Sequence, residues 1–131
     1  MKTNMKIKIL VADDSRVFRK KVIEILKKYS NLLILGEAEN GEEAVNLAFQ
    51  LNPDLIIMDV RMPDMDGINA TAIIKKKLPQ IKIIIVSIHD ISEYKNAAVA
   101  SGADAYILKR NIYNILHQEI KNIFRLGNNF S

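Results

Sequence analysis

The chain has 131 residues, room for one domain, with 49% hydrophobic and 26% charged residues, the composition of a globular fold whose core needs no staples. It contains no cysteine, which excludes thiol catalysis, iron–sulfur clusters and cysteine-bound zinc. Its net charge of +4 raises the question of nucleic acid, but Arg16, Arg19, Lys20, Lys21, Lys27 and Lys28 in one segment, and Lys75, Lys76 and Lys77 in another, read as solvated helix faces.

Residues 1–4 form a loose start without the apolar core of a secretory signal, and no apolar stretch approaches the roughly 20 residues of a membrane span. A cytoplasmic protein is expected. Ile7–Ala12 is the first of five short apolar runs and is followed by Asp13 and Asp14. Residues 17–29 then carry Phe18, Val22, Ile25, Leu26 and Tyr29 on one side of a helix, with Lys20, Lys21, Lys27, Lys28 and the apolar Val17 opposite. The second run is 32–36. A capping-box pattern over 40–43 opens a helix through Leu51, which Asn52 and Pro53 end. The third run, 55–58, leads into Asp59. Asp66 and Gly67 open a third helix, closed at Leu78 and Pro79, with Asp64 and Asp66 shaping the turn before it. The fourth run, 81–86, leads into Ser87. A second capping-box pattern over 90–93 starts a helix ending near Gly102. Ala105–Leu108 is the fifth run and leads into Lys109. From Asn111 onwards Ile112, Ile115, Leu116, Ile120, Ile123 and Phe124 mark a fifth helix. The domain is expected over 5–126, with a tail at 127–131.

Five apolar runs alternating strictly with five helical segments predict an α/β fold: a parallel sheet covered by helices on both faces and joined by right-handed crossovers. In such sheets ligands bind beyond the carboxyl ends of the strands. The residues after each run therefore converge: Asp13 and Asp14, Asp59, Ser87 and Lys109. Each has an ordinary reading alone, as a cap, a strand-end hydroxyl or a surface lysine. Together they form an acid–hydroxyl–amine set that five independent strand ends would have to produce by accident. Crowded carboxylates repel unless a cation lies among them, and oxygen ligands without His or Cys favour a hard ion such as Mg²⁺. A lysine and a hydroxyl remain to hold phosphoryl oxygens, so the set suits a phosphoryl group in line with one carboxylate. His89 and His117 are 28 residues apart in sequence with no Cys near either, which argues against a transition-metal site, and there is no phosphate-binding P-loop, dinucleotide fingerprint or nucleophile elbow.

The chain resembles the response-regulator receiver domains of two-component signalling from about Lys6 to Phe124. The segments that carry the likeness are ILVADDS, DLIIMDVRMPDMDG, IIIVSIHD and SGADAYILK. The resemblance implies a five-stranded, doubly wound sheet of order 2-1-3-4-5, flavodoxin-like. The chemotaxis regulator known for that strand order is itself a member of this family. The resemblance further implies that Asp59 accepts a phosphoryl group from a sensor histidine kinase, that Asp13, Asp14, Asp59 and the backbone carbonyl of Arg61 hold Mg²⁺, that Ser87 and Lys109 bind phosphoryl oxygens, and that Tyr106 is the switch aromatic. Two departures stand out. Ile88 follows Ser87 where the family often has a small residue, and Arg110 follows Lys109 where proline is common. The S-x-H-D pattern and the missing proline are closest to receivers of helix-turn-helix transcription regulators.

The expected function is a phosphorylation-controlled switch that catalyses only its own phosphorylation and dephosphorylation. Its partners would be a histidine kinase docking on the first helix and a downstream effector or output domain, with a phosphorylation-dependent homodimer and neither membrane nor direct nucleic-acid binding. The alternative is the receiver half of a DNA-binding regulator without its output domain. A phosphohydrolase of similar architecture would carry D-x-D after the first strand, and a non-phosphorylated adapter would not need Asp13, Asp14, Asp59 and Lys109 intact.

Overall fold

The computed structural model describes residues 6–126. The loose start expected over 1–4 and the tail expected over 127–131 lie outside the described residues. The elements in chain order are β1 (Ile7–Ala12), α1 (Arg16–Leu26), β2 (Leu32–Ala38), α2 (Gly41–Leu51), β3 (Leu55–Asp59), α3 (Gly67–Lys77), β4 (Lys82–Ser87), α4 (Ser92–Ser101), β5 (Ala105–Leu108) and α5 (Ile112–Phe124), with one 3-10 turn, Lys109–Asn111, before α5. All strand pairs are parallel, in the order β2-β1-β3-β4-β5. This is the doubly wound, flavodoxin-like arrangement expected.

Side chains alternate across the sheet, so each central strand feeds two cores. Leu10, Ile56, Met58, Ile83 and Ile85 pack against α2, α3 and α4. Ile9, Val11, Ile57, Ile84 and Val86 pack against α1 and α5. That is why these strands read as unbroken apolar runs. The last member of β3 is Asp59 and the last of β4 is Ser87, so both lie on the strands rather than just beyond them.

Local differences from the sequence reading have identifiable causes. Helix α1 ends at Leu26 instead of running to 29, because Lys28 and Tyr29 N–H groups turn back to the carbonyls three residues earlier, at 3.3 and 3.1 Å. At α2 the Asn40 side chain accepts the Glu43 N–H at 2.7 Å as expected, but Glu43 reaches back to the N–H of Glu39. The second capping box does not form. Ile91 occupies the N-cap of α4 without a side-chain bond, and the Asp90 carboxylate instead pairs with Lys95 and Arg110. Asp66 does cap α3, accepting from Asn69 N at 2.8 Å, while Asp64 takes a left-handed conformation (φ 70°) in the same turn.

Two glycines let helix starts approach other backbone closely, α3 at the end of β3 and α2 at the loop before α3. A Cβ on Gly67 would lie 1.8 Å from the Asp59 carbonyl oxygen, and one on Gly41 would lie 2.0 Å from that of Met65. No side chain fits at either position, and α3 is thereby seated directly on the end of β3.

Candidate functional site

The switch in strand order between β1 and β3 opens a crevice at the carboxyl edge of the sheet. Carboxylate oxygens of Asp13, Asp14 and Asp59 there lie within 4.8 Å of one another. Asp13 and Asp59 are buried, at 2% and 6% exposure, while Asp14 faces solvent. A cleft of about 230 Å³ is lined by Asp14, Asp59, Arg61, Ser87, Ile88 and Lys109, with Asp13 against its lysine. Six of the seven residues singled out from the sequence are thus brought together. Tyr106, the seventh, stands off on β5.

One ammonium faces two of the three acids. Lys109 Nζ lies 2.8 Å from Asp13 Oδ2 and 3.3 Å from Asp59 Oδ1, and 4.3 Å from the centre of the Phe18 ring. The peptide joining Lys109 to Arg110 is trans. Asp13 Oδ1 accepts the Ser15 N–H at 2.8 Å. Its Oδ2 is buried and receives no hydrogen bond, despite the nearby ammonium. Burial, and secondly the charge of Asp13, raise the Asp59 carboxyl from 3.8 to about 7, with Lys109 offsetting part of the rise. The cluster therefore holds more negative charge than Lys109 compensates. An all-oxygen donor set with a buried oxygen that accepts no hydrogen bond, and with excess negative charge, fits a small hard cation.

Ser87, 1% exposed, accepts the His89 N–H at 3.0 Å. The Tyr106 hydroxyl donates to the His89 carbonyl at 2.7 Å. One loop residue thus ties the strand-end hydroxyl to the aromatic on the neighbouring strand. Ile88 is 66% exposed at the mouth of the cleft, as its apolar side chain has no core to enter. A second hollow of about 460 Å³ shares Asp14 and Arg61 with the first, and Tyr94 of α4 lines it, accepting from Arg61 Nη1 at 3.2 Å.

Arg19 corrects the sequence reading. Counted there among solvated charges, it is 7% exposed. Its Nη1 donates to the Asp13 carbonyl and its Nε to Glu37 Oε1, each at 2.7 Å. The signal was present: 19, 22 and 26 follow helical spacing, which puts Arg19 on the face of Val22 and Leu26.

The family model of the response regulator receiver domain matches residues 9–121. The chain belongs to this family. Among curated relatives, this receiver is 44% identical over 107 residues to the response regulator protein VraR of Staphylococcus aureus, covering 80% of the present chain and 50% of that protein. It is 34% identical over 122 residues to the transcriptional regulatory protein DegU of Brevibacillus brevis, covering 93% and 52%. The chain thus spans about half the length of the curated relatives it matches. A solved structure, the CheX-CheY-BeF3-Mg+2 complex from Borrelia burgdorferi, superposes with a TM-score of 0.85 at 25% identity, over 92% of this chain and 90% of that one. The chain is a receiver domain of two-component response regulators, a class of signalling switches rather than enzymes acting on free substrates. Among the described residues no helix is long and apolar enough to cross a membrane.

Proposed function

We propose that this receiver is switched by phosphorylation of Asp59 at a Mg²⁺ site made by Asp13, Asp14, Asp59 and the Arg61 carbonyl. The observation that carries the proposal is the single cleft in which Asp14, Asp59, Ser87 and Lys109 meet above the buried Asp13. The CheY relative's complex with BeF3 and Mg+2 supports the choice of ion and of phosphoryl chemistry. Mg²⁺, when bound, neutralises acidic charge and phosphoryl oxygens. An ionised Asp59 oxygen attacks phosphorus, the bond from phosphorus to the kinase histidine breaks, and an aspartyl phosphate results. Lys109 holds one phosphoryl oxygen. Water attacking phosphorus breaks the bond to the Asp59 oxygen, releases inorganic phosphate and restores the carboxylate, which resets the switch, so the domain catalyses only its own phosphorylation and dephosphorylation.

The readout runs through Ser87. Its hydroxyl can donate to a phosphoryl oxygen once it turns inward, giving up the His89 N–H. His89 also holds Tyr106, so moving that loop frees the ring to turn and reshapes the surface of α4, β5 and α5. That surface would meet a downstream effector, an output domain or, after phosphorylation, a second copy. The shift in population is limited to the difference in free energy that the phosphoryl contacts supply between the two states. A cytoplasmic location fits a histidine-kinase partner. A second reading, the receiver portion of a DNA-binding transcription regulator, is favoured by the half-length match to DegU, and the reading frame of the encoding gene tests it.

Incubation with Mg²⁺ and a small phosphodonor, followed by intact mass, tests the proposal. One phosphoryl group per chain is expected for wild type and none for Asp59→Asn. Full phosphorylation of the variant would overturn the assignment.

A further inference from the structure

We infer that Arg19 is a positioning residue for the cation site, holding the peptide between Asp13 and Asp14 in the orientation that delivers both carboxylates. The inference rests on the proposed Mg²⁺ site and deepens it.

The main chain of Asp13 is clamped from two directions. Its N–H donates to the Ala38 carbonyl at 3.0 Å, tying it to β2. Its carbonyl accepts from Arg19 Nη1 at 2.7 Å, tying it to α1. The guanidinium is itself held, since Nε donates to Glu37 Oε1 at 2.7 Å on the residue next to Ala38. One buried fork therefore fastens the β1–α1 loop to both neighbours at the position of the first acid. A planar guanidinium can serve a carbonyl and a carboxylate at once, which a lysine ammonium on its flexible stem does less well.

The arrangement matters most for Asp14. Asp13 has a further restraint, the Ser15 N–H on Oδ1. Asp14 is solvent-exposed, and the peptide plane that Arg19 holds sets the position from which its side chain departs. A charged side chain buried for stability alone would be an expensive choice, because guanidinium desolvation has to be offset by its two bonds. Groups that orient metal ligands from behind typically change affinity about 10–100-fold when removed.

The test is a Mg²⁺ titration followed by the amide NMR shifts of residues 13–15, with urea unfolding in chelator measured in parallel. Wild type, Asp14→Ala, Arg19→Met and Arg19→Lys are compared. Arg19→Met keeps the stem and loses both bonds, and its Mg²⁺ affinity is expected to fall about tenfold or more. Arg19→Lys, able to serve one acceptor, is expected at least about threefold weaker than wild type and tighter than Met. A folded Arg19→Met protein within twofold of wild type, whatever its urea midpoint, overturns the inference. Should that variant not fold, Arg19→Lys decides by the same criterion. Wild type that binds no Mg²⁺, or binds it equally after Asp14→Ala, defeats the site itself. Wild-type binding that needs Asp14 but ignores Arg19 defeats only the role given to Arg19.

Discussion

Asp59 stays protonated to about pH 7 in the metal-free fold, whereas its ordinary value is 3.8, and burial is the main cause. Between those two values the native state keeps a proton that the unfolded chain has released, so raising the pH through this window favours unfolding. Metal-free protein is expected to lose on the order of 1–3 kcal/mol across the interval, discounted from the full shift because the cleft is open to water. Asp59→Asn should remove that loss. Urea melts in chelator at about pH 4.5 and pH 8 check it, with the variant near wild type at the lower pH and more stable at the higher. A wild type equally stable at both would place the titration elsewhere. Asp59 and Ser87 were legible as site residues because each closes an apolar strand, and strand ends in a parallel sheet share an edge. Arg19 was not, since charge on a helix is ordinarily solvated and only its spacing told otherwise.

Helices differ in how firmly they are seated. Gly67 lets α3 start against the Asp59 carbonyl, and an added Cβ at 1.8 Å meets backbone that cannot rotate away. Gly67→Ala should cost about 3 kcal/mol or more by denaturant midpoint and lower Mg²⁺ affinity as the end of β3 shifts. Helix α4 is the opposite case. Only Ala98 is buried along its length, and no side chain caps its start. Its amides should exchange with deuterium well before those of β3, whose residues are all buried. Equal protection would deny it the freedom the switch requires. The expected capping box misled here because Asp90 is drawn away by Lys95 and Arg110, and competition between a helix end and two cations cannot be read from local order. Lys20 on α1 and Lys27 at its C-cap remain exposed as expected. Reversing both charges should slow phosphorylation by the cognate kinase several-fold and leave the rate with a small phosphodonor unchanged. Equal slowing with both donors would argue against kinase docking on α1.

At the scale of the molecule, strict alternation of apolar runs with helical segments was enough to give the parallel, two-sided architecture. The register was not legible. The shift between Ile9 and Leu10 leaves Leu35 outside the pairing of β1 with β2, a detail set by packing rather than by pattern. Because every strand pairs with a partner distant in sequence, the carboxyl edge assembles only when β1, β3, β4 and β5 are all in place. Until then, the fully apolar centres of β3 and β4 are exposed to other chains, and their composition is that of segments that stack into intermolecular fibrils. Charges at the borders restrain such stacking. Asp54 and Asp59 bracket the apolar stretch of β3, and Lys82 guards the start of β4. The Asp59 carboxylate would on this ground act while the chain is still unfolded as well. Asp59→Asn, more stable once native, should refold from denaturant above about pH 5 with more light-scattering aggregate than wild type at equal protein concentration, so that the charge which weakens the finished fold protects the path to it.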